Sequence, residues 1–364
     1  MHYVSLFSGI GGFEQAILKE FPNAECLGYS EIDPYALKVY ARHFPSHVNL
    51  GDITLLEDLP CCDLIVAGFP CTNLSSMATI HHSNTGLQGA KSGLFYDLTR
   101  LLRKAIKKNP QVKILIENNN SMSIKNKELI TEELKSIFPS ISVIVINNAT
   151  FGVQIRKRVL WSNFNIEPPG DSELLQTWND VLEPLEKCPP LSFEMVNCIN
   201  TLVKRPNRLM LTKHVSLSGE TVSSEKSGVL SFPKEVIRNG GNFGNSPRYQ
   251  LDYVIDRDHQ SRWDCYPRSD TMSSEIYRYP IGKCRPILSR GNSDNAVLDR
   301  RGDPLERSFV PRMFTPVELE RLFGFADGYT EGISQTRRRM VIGNTVSIFM
   351  IRYALRFFKK DWVL

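Results

Sequence analysis

Short apolar runs alternate with amphipathic stretches as far as about residue 165, and no other feature restricts the fold as much. Tyr3 to Phe7, Leu64 to Ala67, Lys113 to Ile116, Val143 to Ile146 and Val159 to Trp161 have the length and the apolar, mostly β-branched content of buried strands. Phe13 to Phe21, Pro34 to His43, Leu94 to Lys107 and Lys127 to Phe138 read as the helices between them. A strand that is apolar on both sides must be covered on both sides. The expected fold is therefore α/β: a mostly parallel sheet with helices on both faces.

The alternation dissolves after Glu167. From there to Ser308 the chain is rich in Pro, Gly, Asn, Ser and Arg, yet Trp178, Phe193, Phe232, Tyr249, Trp263 and Tyr277 recur too often for a disordered segment. This stretch reads as a smaller irregular domain in which loops do the recognising. Helical patterns return at Thr315 to Phe323 and Val346 to Phe358. The expected division is one α/β domain built from residues 1–166 and 309–364, interrupted by a second domain at 167–308.

Composition adds limits. No apolar run approaches the ~20 residues of a bilayer span, and the start runs directly into a strand without a basic leader, so an intracellular protein without a membrane partner is expected. The 8 cysteines include no Cys-x-x-Cys pair, and His81-His82 has no partner at ligand spacing, so neither a metal nor a disulfide framework is expected. The net charge of +5 is compatible with a polyanionic partner without requiring one.

Phe7-Ser8-Gly9-Ile10-Gly11-Gly12 lies between the first strand and the first helix. Glycines there allow a tight turn and close approach of a nucleotide-like ligand to the backbone, the Rossmann-like arrangement. Glu31, about twenty residues on, is placed where a carboxylate meets ribose hydroxyls. Asp52 follows Gly51 in a loop on the same side; either acid by itself also suits a helix cap.

Leu64-Ile65-Val66-Ala67-Gly68-Phe69-Pro70-Cys71 is a buried strand that delivers a cysteine through a Gly-Phe-Pro turn. At the carboxyl end of a parallel strand, where open α/β sheets bind ligands, a thiol is a candidate nucleophile. Glu117 ends a neighbouring strand, and Gln154, Arg156 and Arg158 alternate so as to share one face of an extended segment. Thiol, acid and arginines on adjacent strand ends suit attack on, and protonation of, an electron-poor ring.

These residues, in this order, resemble the cytosine-5 DNA methyltransferase family. Phe7 to Gly12 is similar to its cofactor glycine motif, Phe69-Pro70-Cys71 to its Pro-Cys nucleophile, Glu117-Asn118 to its Glu-Asn dipeptide, and Gln154-Ile155-Arg156-Lys157-Arg158 to its Gln-x-Arg-x-Arg motif. Arg285 to Ser289, Phe314 to Phe325 and Gly343-Asn344-Thr345-Val346 resemble its closing segments, and the flavour of Pro-Cys-Thr-Asn-Leu-Ser is closest to the de novo branch and its microbial or viral relatives. One departure is Asn119, where the family usually has an apolar residue.

The resemblance implies an S-adenosylmethionine-dependent methyltransferase domain, a target-recognition domain in the insertion, and double-stranded DNA bound by a monomer. It implies catalytic roles for Cys71, Glu117 and Arg158, with Arg156 beside the last. The cofactor set it implies is Phe7, Ser8, Gly9, Ile10, Gly11, Gly12, Glu31, Ile32, Asp52, Ile53, Phe69, Pro70, Leu94, Asn344, Thr345 and Val346. Ser75 and Ser76 fall in a polar segment similar to the family's lid, and Lys204, Arg205, Arg208 and Arg238 are expected to meet DNA from Gly-rich and basic loops. Because one branch of the family modifies RNA, a tRNA cytosine-5 methyltransferase is the alternative.

Overall fold

The computed structural model describes residues 1–70, 94–170, 173–188 and 310–363, together with six short strands between 214 and 299. Its centre is a six-stranded sheet of order β2-β1-β3-β4-β6-β5. The strands are β1 (His2–Leu6), β2 (Glu25–Ser30), β3 (Leu64–Ala67), β4 (Lys113–Asn119), β5 (Ser142–Asn147) and β6 (Lys157–Ser162). β2, β1, β3 and β4 run parallel, and β6 pairs antiparallel with both β4 and β5. The expected mostly parallel α/β sheet is the observed one.

Period-two geometry sorts the strand residues onto two cores. Leu64 and Val66 face a layer that includes α1 (Gly12–Glu20) and α2 (Pro34–His43), whereas Ile65 and Ala67 face α3 (Leu94–Lys108) and α4 (Ile124–Lys135). Burial on both faces explains why these strands read as unbroken apolar runs. Asp33 caps α2 by accepting from the amides of Tyr35 and Ala36, and Ser123 caps α4 by accepting from Asn126. That cap starts α4 three residues earlier than the apolar pattern indicates.

The C-terminal part supplies α5 (Pro316–Phe323), α6 (Gln335–Asn344) and α7 (Ile348–Val363). α5 opens with a capping box between Thr315 and Glu318. α6 escapes a periodicity reading because its first turns carry Arg337, Arg338 and Arg339, which tertiary partners absorb. Arg338 pairs with Glu320 at 2.8 Å, Arg339 donates to the Phe314 carbonyl, and Arg337 lies 4.2 Å from the ring centroid of Tyr35. These arginines hold the domain together rather than forming a free basic surface. The stretch 335–360 is apolar enough by composition to suit a membrane, but 72% of its most apolar window is buried inside the protein.

Residues 173–188 fall in the expected insertion, yet they pack on the α/β body. Val181 and Leu182 are buried in its first core, the Gln176 amide donates to the Arg321 carbonyl at 2.6 Å, and the Glu183 amide donates to Glu318. Beyond them, β7 (His214–Val215) pairs antiparallel with β8 (Thr221–Val222), and β10 (Cys265–Pro267) with β11 (Ile276–Arg278). β12 (Ala296–Asp299) lies between β9 (Leu251–Ile255), to which it is parallel, and β13 (Val310–Met313), to which it is antiparallel.

Candidate active site

The loop after β1 is held in an uncommon backbone shape. Gly9 and Gly11 have φ of 57° and 91°, and Phe7, a side-chain-bearing residue, has φ of 56°. Such a conformation persists only where the surroundings enforce it. The Ser8 amide donates to Ser30 at 3.1 Å, and the Ser8 hydroxyl donates back to the Ser5 carbonyl at 3.0 Å. Tyr329 donates from its hydroxyl to the Ile10 carbonyl at 2.9 Å. A Cβ on Gly9 would meet no atom within 4 Å, so the loop presents open space on that side. A Cβ on Gly12 would lie 2.7 Å from Thr345 Oγ1 and 2.9 Å from Val346 Cγ2, so the closing motif packs directly on the glycines.

Glu31 binds this loop from the end of β2. One carboxylate oxygen accepts from the Gly9 amide at 2.8 Å, and the other from the amides of Ile32 and Asp33. Beside it Ile32 is 63% exposed, an unusual setting for an apolar side chain next to an ordered loop. Asp52 caps a short turn by accepting from the Thr54 amide and hydroxyl at 2.9 Å, the structural role an acid at a strand end often has. Ile53 and Phe69 are buried in the second core, the Phe69 ring 5.2 Å from that of Phe95, so they form a floor rather than an open surface. Leu94 is half-buried, Asn344 is exposed at the end of α6, and Thr345 and Val346 are buried behind it.

Glu117 ends β4, and β6 brings Arg158 against it. Arg158 Nε lies 2.7 Å from Glu117 Oε1, with both side chains 11% exposed. That oxygen has no aligned hydrogen-bond donor among the described residues, so the contact is an ion pair rather than a directed bond. Asn118 donates from its amide to the Phe69 carbonyl at 3.0 Å and thereby ties this dipeptide to the turn that leads through Pro70. Asn119, opposite Arg158 in the β4–β6 ladder, offers Oδ1 at 3.5 Å to the Arg158 guanidinium and accepts from the Ser121 amide. The polar departure from the family pattern thus lies beside the arginine; the departure itself was the only sequence signal for it.

Arg156 does not join Arg158. It is 4% exposed, donates to the carbonyls of Gly343 and Thr345, and lies 4.9 Å over the Phe323 ring. The alternation of the two arginines ends because β6 begins only at Lys157, which frees Arg156 to turn into the C-terminal core. The expectation that it shares the face of Arg158 is corrected: it is a positioning residue for the closing motif. Cys71, Ser75, Ser76, Lys204, Arg205, Arg208 and Arg238 lie outside the described residues.

The parallel strands, closed at one edge by the β5–β6 hairpin and flanked by helices, define the fold class of the S-adenosylmethionine-dependent methyltransferases. Solved structures of that class are similar over nearly the whole chain. They include the Entamoeba histolytica methyltransferase EhMeth (TM-score 0.53, 17% identity, 100% of this chain and 98% of that one) and DNMT2 of Spodoptera frugiperda (TM-score 0.58, 16% identity, 98% and 99%). The family model described as C-5 cytosine-specific DNA methylase matches residues 1–360, and the chain belongs to that family.

Among its relatives, the Type II methyltransferase M.NgoBV of Neisseria gonorrhoeae is 33% identical, with 96% of each chain covered. M.NlaIV of Neisseria lactamica is 24% identical over 96% of each chain, and M.HhaI of Haemophilus parahaemolyticus is 30% identical over 50% of this chain and 57% of its own. The protein is a DNA cytosine-5 methyltransferase. The tRNA alternative is not better supported, since the relatives in sequence are Type II methyltransferases and the likeness to solved structures shows the fold alone.

Proposed function

We propose that the protein methylates carbon 5 of a cytosine turned out of duplex DNA, with Cys71 as attacking group and Glu117 and Arg158 holding the base. The observation that supports this most directly is the Glu117–Arg158 pair, whose Oε1 lacks an aligned donor and whose neighbour Asn118 fixes the backbone two residues before Cys71. A target base must leave the stack because its ring faces are covered within the duplex. The Cys71 thiolate donates its electron pair to ring carbon 6 and forms a carbon–sulfur bond, while the pair of the 5,6 double bond moves toward carbon 5. Glu117 meets ring N3 and the exocyclic amine, favouring the protonated ring, and Arg158 holds the ring oxygen as charge develops. That pair would take up the methyl group that a bound donor supplies; once the proton on carbon 5 is then lost to a base, the electrons it leaves re-form the 5,6 double bond and expel Cys71 as thiolate.

The glycine loop fits S-adenosylmethionine: open space at Gly9, the Glu31 carboxylate at its rim and the exposed Ile32 together suit a nucleoside with an amino-acid arm. When bound, the cofactor supplies an electrophilic methyl group. In this reading Phe7 to Gly12, Glu31, Ile32, Asp52 and Asn344 hold it. Ser75, Ser76, Lys204, Arg205, Arg208 and Arg238 are the proposed DNA contacts, and the insertion selects the target sequence. A double-stranded DNA substrate implies an intracellular site of action.

Covalent trapping tests the mechanism. Fluorine on carbon 5 cannot leave as a cation, so duplex with 5-fluorocytosine at the target, incubated with protein and S-adenosylmethionine, should give a complex stable to denaturing electrophoresis. Cys71→Ser should remove that band, because a hydroxyl is a far weaker nucleophile than a thiolate. A crosslink mapped to Cys61 or Cys62 overturns the assignment.

A further inference from the structure

The glycine loop has an open front and a closed rear. A Cβ at Gly9 would meet no atom within 4 Å, whereas one at Gly11 would lie 2.5 Å from the Phe44 ring and 3.2 Å from the Tyr329 hydroxyl. The Gly11 amide donates to the Ser8 carbonyl at 3.0 Å and closes a turn over Gly9 and Ile10. The other end of the same peptide unit, the Ile10 carbonyl, accepts from the Tyr329 hydroxyl at 2.9 Å. A trans peptide is planar, with its N–H and C=O pointing in opposite directions, so a bond at each end fixes its rotation. Gly11, at φ of 91°, has no Cβ to resist that rotation by itself.

Tyr329 is itself clamped. It is 4% exposed, and its ring stacks parallel on that of His43, with centroids 3.6 Å apart, and lies 4.5 Å from that of Phe325. His43 donates from Nε2 to the Tyr329 carbonyl at 2.7 Å. Arg42 donates to carbonyls on either side of it, at 2.9 Å to Gly328 and 2.5 Å to Glu331. Both clamping residues belong to the last turn of α2. We propose that Tyr329 is a positioning residue for the methyl donor: its hydroxyl locks the Ile10–Gly11 peptide, and with it the turn whose Gly9 side receives the donor, while Arg42 and His43 hold the tyrosine in place. Without the hydroxyl this peptide is free to turn, and the Gly11 amide then leaves Ser8. The donor would have to restore the turn on binding, so the loss of preorganisation falls on its affinity. The inference rests on the reading of the loop as the S-adenosylmethionine site.

Equilibrium dialysis of the full chain with S-adenosylmethionine is the test, together with the kinetics of methyl transfer to duplex DNA. Tyr329→Phe keeps the stacked ring and removes only the hydroxyl. It should weaken donor binding roughly five- to tenfold, the effect of one hydrogen bond. The loss in turnover should fall on the donor KM rather than on kcat, a split that a purely structural contact would not produce. Arg42→Met frees the Gly328 and Glu331 carbonyls at the outer end of the clamp. It should weaken donor binding in the same sense, and it gives the answer should Tyr329→Phe fail to fold. Because both act through one hydroxyl, the double variant should bind at most about twofold more weakly than Tyr329→Phe. Wild-type donor affinity in either variant, a loss confined to kcat, or losses that multiply in the double variant overturns the proposal. Absence of donor binding by wild type overturns the reading of the loop itself, and the proposal with it.

Discussion

Arg158 Nε lies 2.7 Å from Glu117 Oε1 across the β4–β6 ladder, where the edges of the parallel sheet and the hairpin meet. Both side chains are largely buried, so the pair shields each charge in a setting that would otherwise expel it. The oxygen nearest the guanidinium still lacks an aligned donor, which leaves it able to accept one from a substrate. Glu117→Gln preserves the shape but removes the charge that favours the protonated ring. It should lower kcat by about 10²–10⁴-fold, measured as methyl transfer to duplex DNA under saturating donor. Arg158→Ala should cost about 3 kcal/mol of stability as well, because it strands the Glu117 carboxylate. Denaturant titration that finds Arg158→Ala as stable as wild type would count against the pair as described.

Glu31 offers its carboxylate to the Gly9 amide and to two amides of its own turn. In the bound state it is expected to take ribose hydroxyls as well. Glu31→Ala should weaken S-adenosylmethionine binding by about tenfold or more, since charged hydrogen bonds contribute about 1.5–3 kcal/mol each. Calorimetric titration checks this, and an unchanged affinity would remove Glu31 from the cofactor site.

Arg156 should matter for folding more than for the chemical step. Arg156→Met keeps the bulk over Phe323 but leaves the Gly343 and Thr345 carbonyls without their donor. A loss of about 2–4 kcal/mol is expected. The closing motif loosens with it, so donor KM should rise in step. Thermal melting and donor titration of one preparation test the two together; a stable variant with normal KM and depressed kcat would restore Arg156 to the base-binding face.

Glu14 makes stability depend on pH in a defined sense. Its pKa rises from an ordinary 4.5 to about 7 on folding, chiefly through burial. The folded state therefore holds the proton more tightly than the unfolded chain. The resulting stabilisation is complete below about pH 4.5 and is lost as pH rises through about 7. Glu14→Gln resembles the protonated form at every pH. Relative to wild type it should gain stability toward the alkaline side, by roughly 3 kcal/mol at most near pH 8. Melting curves of both proteins across that range measure the difference, and a gap that closes as pH rises refutes the sign.

The sequence by itself determined the α/β sheet and the glycine loop after β1, and it singled out Cys71, Glu117 and Arg158 as candidates, because each rests on local chemistry. Buried strands declare themselves through unbroken apolar runs, tight turns through glycine, and reactive positions through residue type at a strand end. Tertiary structure alone decided which way Arg156 turns, since that depends on carbonyls nearly two hundred residues away in the chain. It also decided that α6 is a helix, because partners such as Glu320 and Tyr35 absorb an arginine-rich stretch with no apolar stripe. Glu14 is the clearest case. On a helix pattern an acid in the first turn reads as an ordinary dipole contact, and only the packing of β1, β2 and α2 around it removes the water that would have kept it an unremarked surface charge.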